Sequence, residues 1–133
     1  MAGLDTNVLV RWLVDDDAGQ ADRVQVLLEA VRAGTEPLFV PTTVVLELEW
    51  VLRSRYRFEK AQVLSAFTAL LETHELDFQT EDAVERALHL YREGAAEFAD
   101  CLHAGLCGAA GRSPLLTFDK QAARLASVEL LAG

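Results

Sequence analysis

Leu38-Phe39-Val40-Pro41-Thr42-Thr43-Val44-Val45-Leu46-Glu47 joins a short apolar run to an apolar-rich helical stretch, with a proline at the joint. Proline has no N–H for a sheet ladder, so Leu38–Val40 reads as a strand that must stop there. A helix then runs to about Arg55, with Thr42 or Thr43 available as its cap. A strand so short and uniformly apolar belongs to a parallel sheet covered on both faces. Upstream, Ala2–Leu4 reads as a buried strand ending at Asp5, Asn7–Val14 as a short helix and Asp15–Gly19 as a turn. Gln20–Ala33 carries Val24, Leu27, Leu28 and Val31 at helical spacing and is closed by Gly34. Downstream, helices are expected over Phe58–Thr73, Thr80–Tyr91, Ala95–Ala110 and Asp119–Ala126, and strands over Glu75–Phe78, Pro114–Thr117 and Val128–Leu130. Short strands alternating with longer helices define an α/β protein. In such folds reactive residues lie at the carboxyl ends of strands.

The chain has 133 residues, 51% hydrophobic and 25% charged, which predicts one folded domain over residues 1–133. Every apolar run is broken by charge before the roughly 18 residues a membrane span requires. The opening residues do not read as a basic, apolar leader, and a cytoplasmic protein is expected. With 21 acids against 12 bases, the net charge is −9, the reverse of a protein that holds nucleic acid by bulk positive charge. Cys101 and Cys107 are six apart on one predicted helix, about 9 Å at a rise of ~1.5 Å per residue, too far for a disulfide. His74, His89 and His103 lack zinc-ligand spacing, and no glycine-rich phosphate loop is present.

Four acids meet the strand-end criterion: Asp5, Glu47, Asp100 and Asp119. Asp5 and Asp119 also suit helix N-caps, and Asp100 with Glu97 suits a helix start. Glu47 has Val44, Trp50 and Val51 at helical spacing, so its carboxylate is expected in an apolar arc that calls for a cation. Glu49 has Arg53 four residues on and is expected at the surface. Oxygen ligands favour hard divalent cations such as Mg²⁺ or Mn²⁺.

Four segments, in order, resemble the PIN-domain ribonucleases, especially the VapC toxins of toxin–antitoxin pairs. They are Gly3-Leu4-Asp5-Thr6-Asn7-Val8-Leu9-Val10, Val44-Val45-Leu46-Glu47-Leu48-Glu49-Trp50-Val51-Leu52, Phe98-Ala99-Asp100-Cys101-Leu102 and Leu116-Thr117-Phe118-Asp119-Lys120. The resemblance implies a PIN-like three-layer fold with a five-stranded parallel sheet flanked by helices. It further implies a Mg²⁺- or Mn²⁺-dependent endoribonuclease that uses activated water to leave 5′-phosphate and 3′-hydroxyl ends. Asp5, Glu47, Asp100 and Asp119 match its catalytic and metal-binding acidic tetrad, and Thr6, Asn7 and Thr117 match supporting polar positions. Glu97 stands where many members carry aspartate. The implied partners are a VapB-like antitoxin and a second copy in a homodimer, with a groove near Trp12 and Trp50 as one place for the antitoxin.

For RNA, Arg53, Arg55, Arg57 and Lys60 form the densest basic segment, interleaved with Tyr56 and Phe58, and Arg11 lies near Asp5. Backbone contact with base stacking and plain cations at a helix C-terminus both account for them. Two other functions fit less of the pattern. A phosphoacceptor receiver domain is also acidic and α/β, but Thr6-Asn7 follows Asp5 where it would carry a second acid. A PIN fold that only binds would have no need of an intact tetrad.

Overall fold

The computed structural model describes residues 2–14, 17–34 and 36–131. They fall into two compact units, residues 1–79 and 80–133. Asp15 and Asp16 of the expected turn lie outside the described residues. No helix among the described residues is long and apolar enough to cross a membrane.

The first unit contains α1 (Thr6–Leu13), α2 (Ala18–Arg32), β1 (Leu38–Val40), α3 (Thr42–Ser54), α4 (Lys60–Leu71) and β2 (Leu76–Phe78). β1 pairs in parallel with β2, Leu38 opposite Leu76 and Val40 opposite Phe78. On its other side β1 meets the opening segment through a single parallel bridge, Gly3 to Phe39. The expected strand Ala2–Leu4 is therefore one bridge, and of its residues only Leu4 is buried. Parallel pairing requires a long crossover, and α3 with α4 supplies it. Leu48, Leu52, Val63, Phe67 and Leu70 are fully buried along those two helices.

α3 is not capped by Thr42 or Thr43. Pro41 holds the N-cap position without a side-chain bond. The Thr42 N–H donates instead to Gln79 Oε1 at 2.9 Å, while the Gln79 N–H donates to the Val40 carbonyl at 2.9 Å. The residue just past β2 thus fixes where α3 begins. α4 starts later than the sequence suggests, at a capping box in which Glu59 and Gln62 satisfy each other's backbone.

The Arg32 Nε donates to Glu75 Oε1 at 2.6 Å, tying the end of α2 to the approach to β2. That bond holds the Glu75 carboxyl below the ordinary glutamate range. A lowered folded-state value stabilises above the unfolded value and is lost as pH falls through the folded one. Arg32 is largely exposed, so the contribution is at most about 1 kcal/mol. Replacing Glu75 by Gln should open a gap of that size in urea melts at pH 7, closing as the pH falls through the acid range.

The second unit contains α5 (Glu81–Glu93), α6 (Phe98–Ala109), β3 (Leu115–Thr117) and β4 (Val128–Leu130), with a single 3-10 turn at Ala122–Arg124. β3 and β4 are parallel, Leu115 opposite Val128 and Thr117 opposite Leu130. The helix expected over Asp119–Ala126 is only that 3-10 turn, because its start is bent by side-chain bonds described below. The described strands thus form two two-stranded parallel sheets, one in each unit, rather than one observed sheet of five.

α5 and α6 meet through small residues. A Cβ on Gly105 would lie 2.5 Å from the Ala83 carbonyl oxygen and 3.2 Å from the Ala87 amide nitrogen. Both obstacles are backbone and cannot rotate away. Tyr91 and Phe98 close the pair edge to face, ring centroids 5.5 Å apart. Gly105→Ala should therefore force the helices apart and destabilise by about 1–3 kcal/mol in urea denaturation.

Candidate active site

In the first unit the site grows from the start of α1. Asp5 is its N-cap, and Asp5 Oδ1 accepts the Thr6 N–H at 2.7 Å. The Thr6 side chain is buried, and its hydroxyl donates to Glu47 Oε1 on α3. Thr6 therefore engages both first-unit acids, one through its backbone and one through its side chain. Asn7 is exposed.

Glu47 does not sit in a buried arc. It is exposed, and its neighbour Trp50 is 55% exposed. The buried acid is Glu49, 3% exposed, which accepts from Arg53 Nε at 2.9 Å and Nη2 at 3.5 Å. The reason is helical phase. Val45, Leu48 and Leu52 are fully buried, and position 49 completes that i, i+3, i+4, i+7 stripe. Glu47 is two residues away and faces elsewhere. Arg53 reaches Glu49 from the rim, so an i, i+4 pair with the look of a surface bridge has one end inside.

In the second unit Asp119 follows β3. Its N–H donates to Thr117 Oγ1 at 3.0 Å, and its Oδ1 accepts from the N–H groups of Gln121 at 2.8 Å and Ala122 at 3.2 Å. The two amides set the acid's rotamer, and Thr117 holds its backbone. Asp100 is half-buried in the first turn of α6, and Glu97 is exposed at the N-cap without a side-chain cap bond. His103 is exposed, Cys101 is buried and Cys107 is half-buried, and neither cysteine is in a disulfide.

Among the described residues Asp5 Oδ2, Glu47 Oε2 and Asp119 Oδ2 accept no hydrogen bond, and neither oxygen of Asp100 does. Each acid thus offers a hard oxygen donor, the chemistry that suits Mg²⁺ or Mn²⁺. No three His, Cys, Asp or Glu side chains among the described residues group closely enough to hold a metal ion by themselves. Asp5 and Glu47 are joined through Thr6, while Asp100 and Asp119 stand on separate elements of the second unit.

The basic candidates divide by their partners. Arg11 donates to Gln20 Oε1 and, at 3.2 Å, to the Tyr56 hydroxyl. Arg53 serves Glu49. Arg55 and Arg57 are exposed, Arg57 with φ 55°, and Lys60 is half-buried at the start of α4. A cavity of about 410 Å³ in the second unit, lined in part by Asp82, Arg86, His89 and Ser113, contains none of the four acids.

Sequence reading passed over Glu49 as an interior acid, although the 45, 48, 52 stripe contains the signal. It also passed over Gln121, whose amide Nε2 donates to the Ala95 carbonyl at 2.7 Å. An uncharged loop side chain gives no such signal.

These features define an α/β protein with Asp5 and Asp119 after extended segments, Asp100 in the first turn of α6 and Glu47 in the second turn of α3. The PIN domain family matches residues 3–128, and the chain belongs to that family. It is also similar to a VapC ribonuclease of Aquifex aeolicus (strain VF5), 24% identical over 122 residues, which cover 92% of this chain and 90% of that protein.

Removing Arg53 would leave the Glu49 carboxylate buried beside a core stripe. Arg53→Met should cost about 1–3 kcal/mol in urea melts. Adding Glu49→Leu should recover most of it, because a buried pair can be replaced by apolar packing.

Proposed function

We propose that this chain is a Mg²⁺- or Mn²⁺-dependent endoribonuclease and the VapC-like toxin of a type II toxin–antitoxin pair. The observation that carries the reading is the Asp5–Thr6–Glu47 linkage within a family match over residues 3–128. Asp5, Glu47, Asp100 and Asp119 would hold the cation, with Glu97, three residues before Asp100, in a supporting part. The bound cation supplies Lewis acidity toward a phosphoryl oxygen and neutralises charge that builds during phosphodiester hydrolysis. The protein's own share is positional. Thr6 occupies one oxygen of Asp5 and one of Glu47, which would leave the opposite oxygens as donors to the cation. The amides of Gln121 and Ala122 do the same for Asp119. Whichever of Asp5 and Asp119 does not bind the cation through Oδ2 would take the proton of the attacking water there.

On the same reading residues 1–133 are one PIN domain, and its extended segments make up the family's five-stranded parallel sheet. It acts in the cytoplasm as a homodimer. The antitoxin partner is supported by apolar surface in the first unit. Trp50 and Val26 are 55% and 64% exposed, and a depression of about 460 Å³ is lined by Leu13, Phe58, Ala61 and Ala66 among others.

The test is cleavage of single-stranded RNA with Mg²⁺ or Mn²⁺ by wild type, Asp5→Asn and Asp100→Asn, one variant from each unit. Wild type should cut, chelation should stop it, and each variant should lose at least about a hundredfold, in keeping with the loss of a transition-state electrostatic contact. Equal cleavage by all three would refute the mechanism. Metal binding without cleavage of any RNA would leave a PIN fold that only binds. Thr6→Val, which keeps shape but removes the donor, should reduce cleavage, and Thr6→Ser should restore most of it.

A further inference from the structure

Gln121 lies outside every motif that marks the site, is exposed, and carries no charge. It nevertheless makes two bonds with different targets. Its backbone N–H donates to Asp119 Oδ1 at 2.8 Å, and its side-chain Nε2 donates to the Ala95 carbonyl at 2.7 Å. Ala95 lies two residues before Glu97 and five before Asp100, in the segment that leads into α6. One residue therefore fastens the turn of the fourth acid to the chain that delivers the third.

The turn needs such a tie. Phe118, beside Asp119, is 76% exposed and gives the loop no packing of its own. Below the loop the anchor is Ala122, buried at the 3-10 turn, with the Ala123 N–H donating to the Asp119 carbonyl at 3.0 Å. That fixes the backbone behind Asp119. The Gln121 side chain fixes the loop sideways, toward α6. Without it, the acid can keep its backbone caps and still move relative to Asp100.

We propose that Gln121 is a positioning residue for the metal site, setting the spacing between Asp119 and the Glu97–Asp100 turn. This rests on the metal-site reading above. Gln121 touches neither metal nor substrate. It acts as an outer partner of a ligand, a class whose removal commonly weakens metal binding by about 10–100-fold.

The experiment is a titration of the full chain with Mn²⁺, read by electron paramagnetic resonance, on wild type, Gln121→Met, Gln121→Glu and Asp119→Asn. Met keeps the size of the side chain and removes the donor. Glu removes the donor and sets an acceptor against the Ala95 carbonyl. Both should weaken Mn²⁺ binding about tenfold, with unchanged circular dichroism and thermal midpoints close to wild type. In RNA cleavage they should raise the Mn²⁺ concentration needed for half-maximal rate by the same factor. The rate at saturating Mn²⁺ should stay within about twofold, since added metal restores the occupied site. Wild-type affinity in both Gln121 variants, with Asp119→Asn weakened, would overturn the role of Gln121 and spare the metal site. So would a lower saturating rate at unchanged affinity. Wild-type affinity in Asp119→Asn as well would overturn the metal-site reading, and the Gln121 role with it.

Discussion

Parallel pairing between strands of three residues is the constraint from which the rest follows. β1 with β2, and β3 with β4, contribute few ladder bonds, and each parallel pair obliges the chain to leave the sheet and return by a crossover. At every exit a new turn or helix begins with N–H groups that have no partner inside it. At three of these starts the structure meets that need with side-chain oxygens: Asp5 at α1, Gln79 at α3, Asp119 at the 3-10 turn. Two of the three are carboxylates, and a carboxylate has a second oxygen. The acid-lined strand ends are thus a product of how the fold ends its strands, before any chemistry is asked of them.

Elements with strong periodicity were legible in the sequence. The stripe Ala83, Ala87, Leu88 and Tyr91 is buried as its spacing predicts, and β4 occupies Val128–Leu130 as read. What was illegible depended on partners distant in sequence. The cap of α3 comes from Gln79, and no local pattern reveals that Pro41 is relieved from across β2. The interchange of Glu47 and Glu49 has a different cause. Three apolar neighbours placed Glu47 inside, yet Trp50 is an exposed aromatic, and a large apolar residue is a poor marker of the core face when the helix carries another apolar stripe. Arg53 at i+4 pointed Glu49 outward, although a long guanidinium stem can serve an interior acid from the rim. The positions of Asp5 and Asp119 at strand exits were legible because caps and exits are local. Their tethers, Thr6 to Glu47 and Gln121 to Ala95, were not.

The net charge of −9 reads differently once partners are assigned. Of the basic residues near the Glu47 helix, Arg53 neutralises Glu49 and Arg11 braces Gln20 and Tyr56. Basic density in the sequence therefore overstates the charge available to a polyanion. On the proposed function, bound divalent cations supply much of the local positive potential, so affinity for RNA follows metal occupancy more closely than it follows the count of arginines.

The double duty of Asp5 and Asp119 has a consequence for how this fold can change over evolutionary time. Each side chain caps the helix or turn that follows an extended segment and, on the proposed function, also offers an oxygen to a ligand, so its loss is felt by the fold at about 0.5–2 kcal/mol even where chemistry no longer matters. Asp100 carries no such structural bond among the described residues. A lineage released from selection for catalysis would shed Asp100 first and keep the capping aspartates. An acid remaining at positions 5 and 119 is then a record of the fold, whereas an acid at position 100 is a record of use.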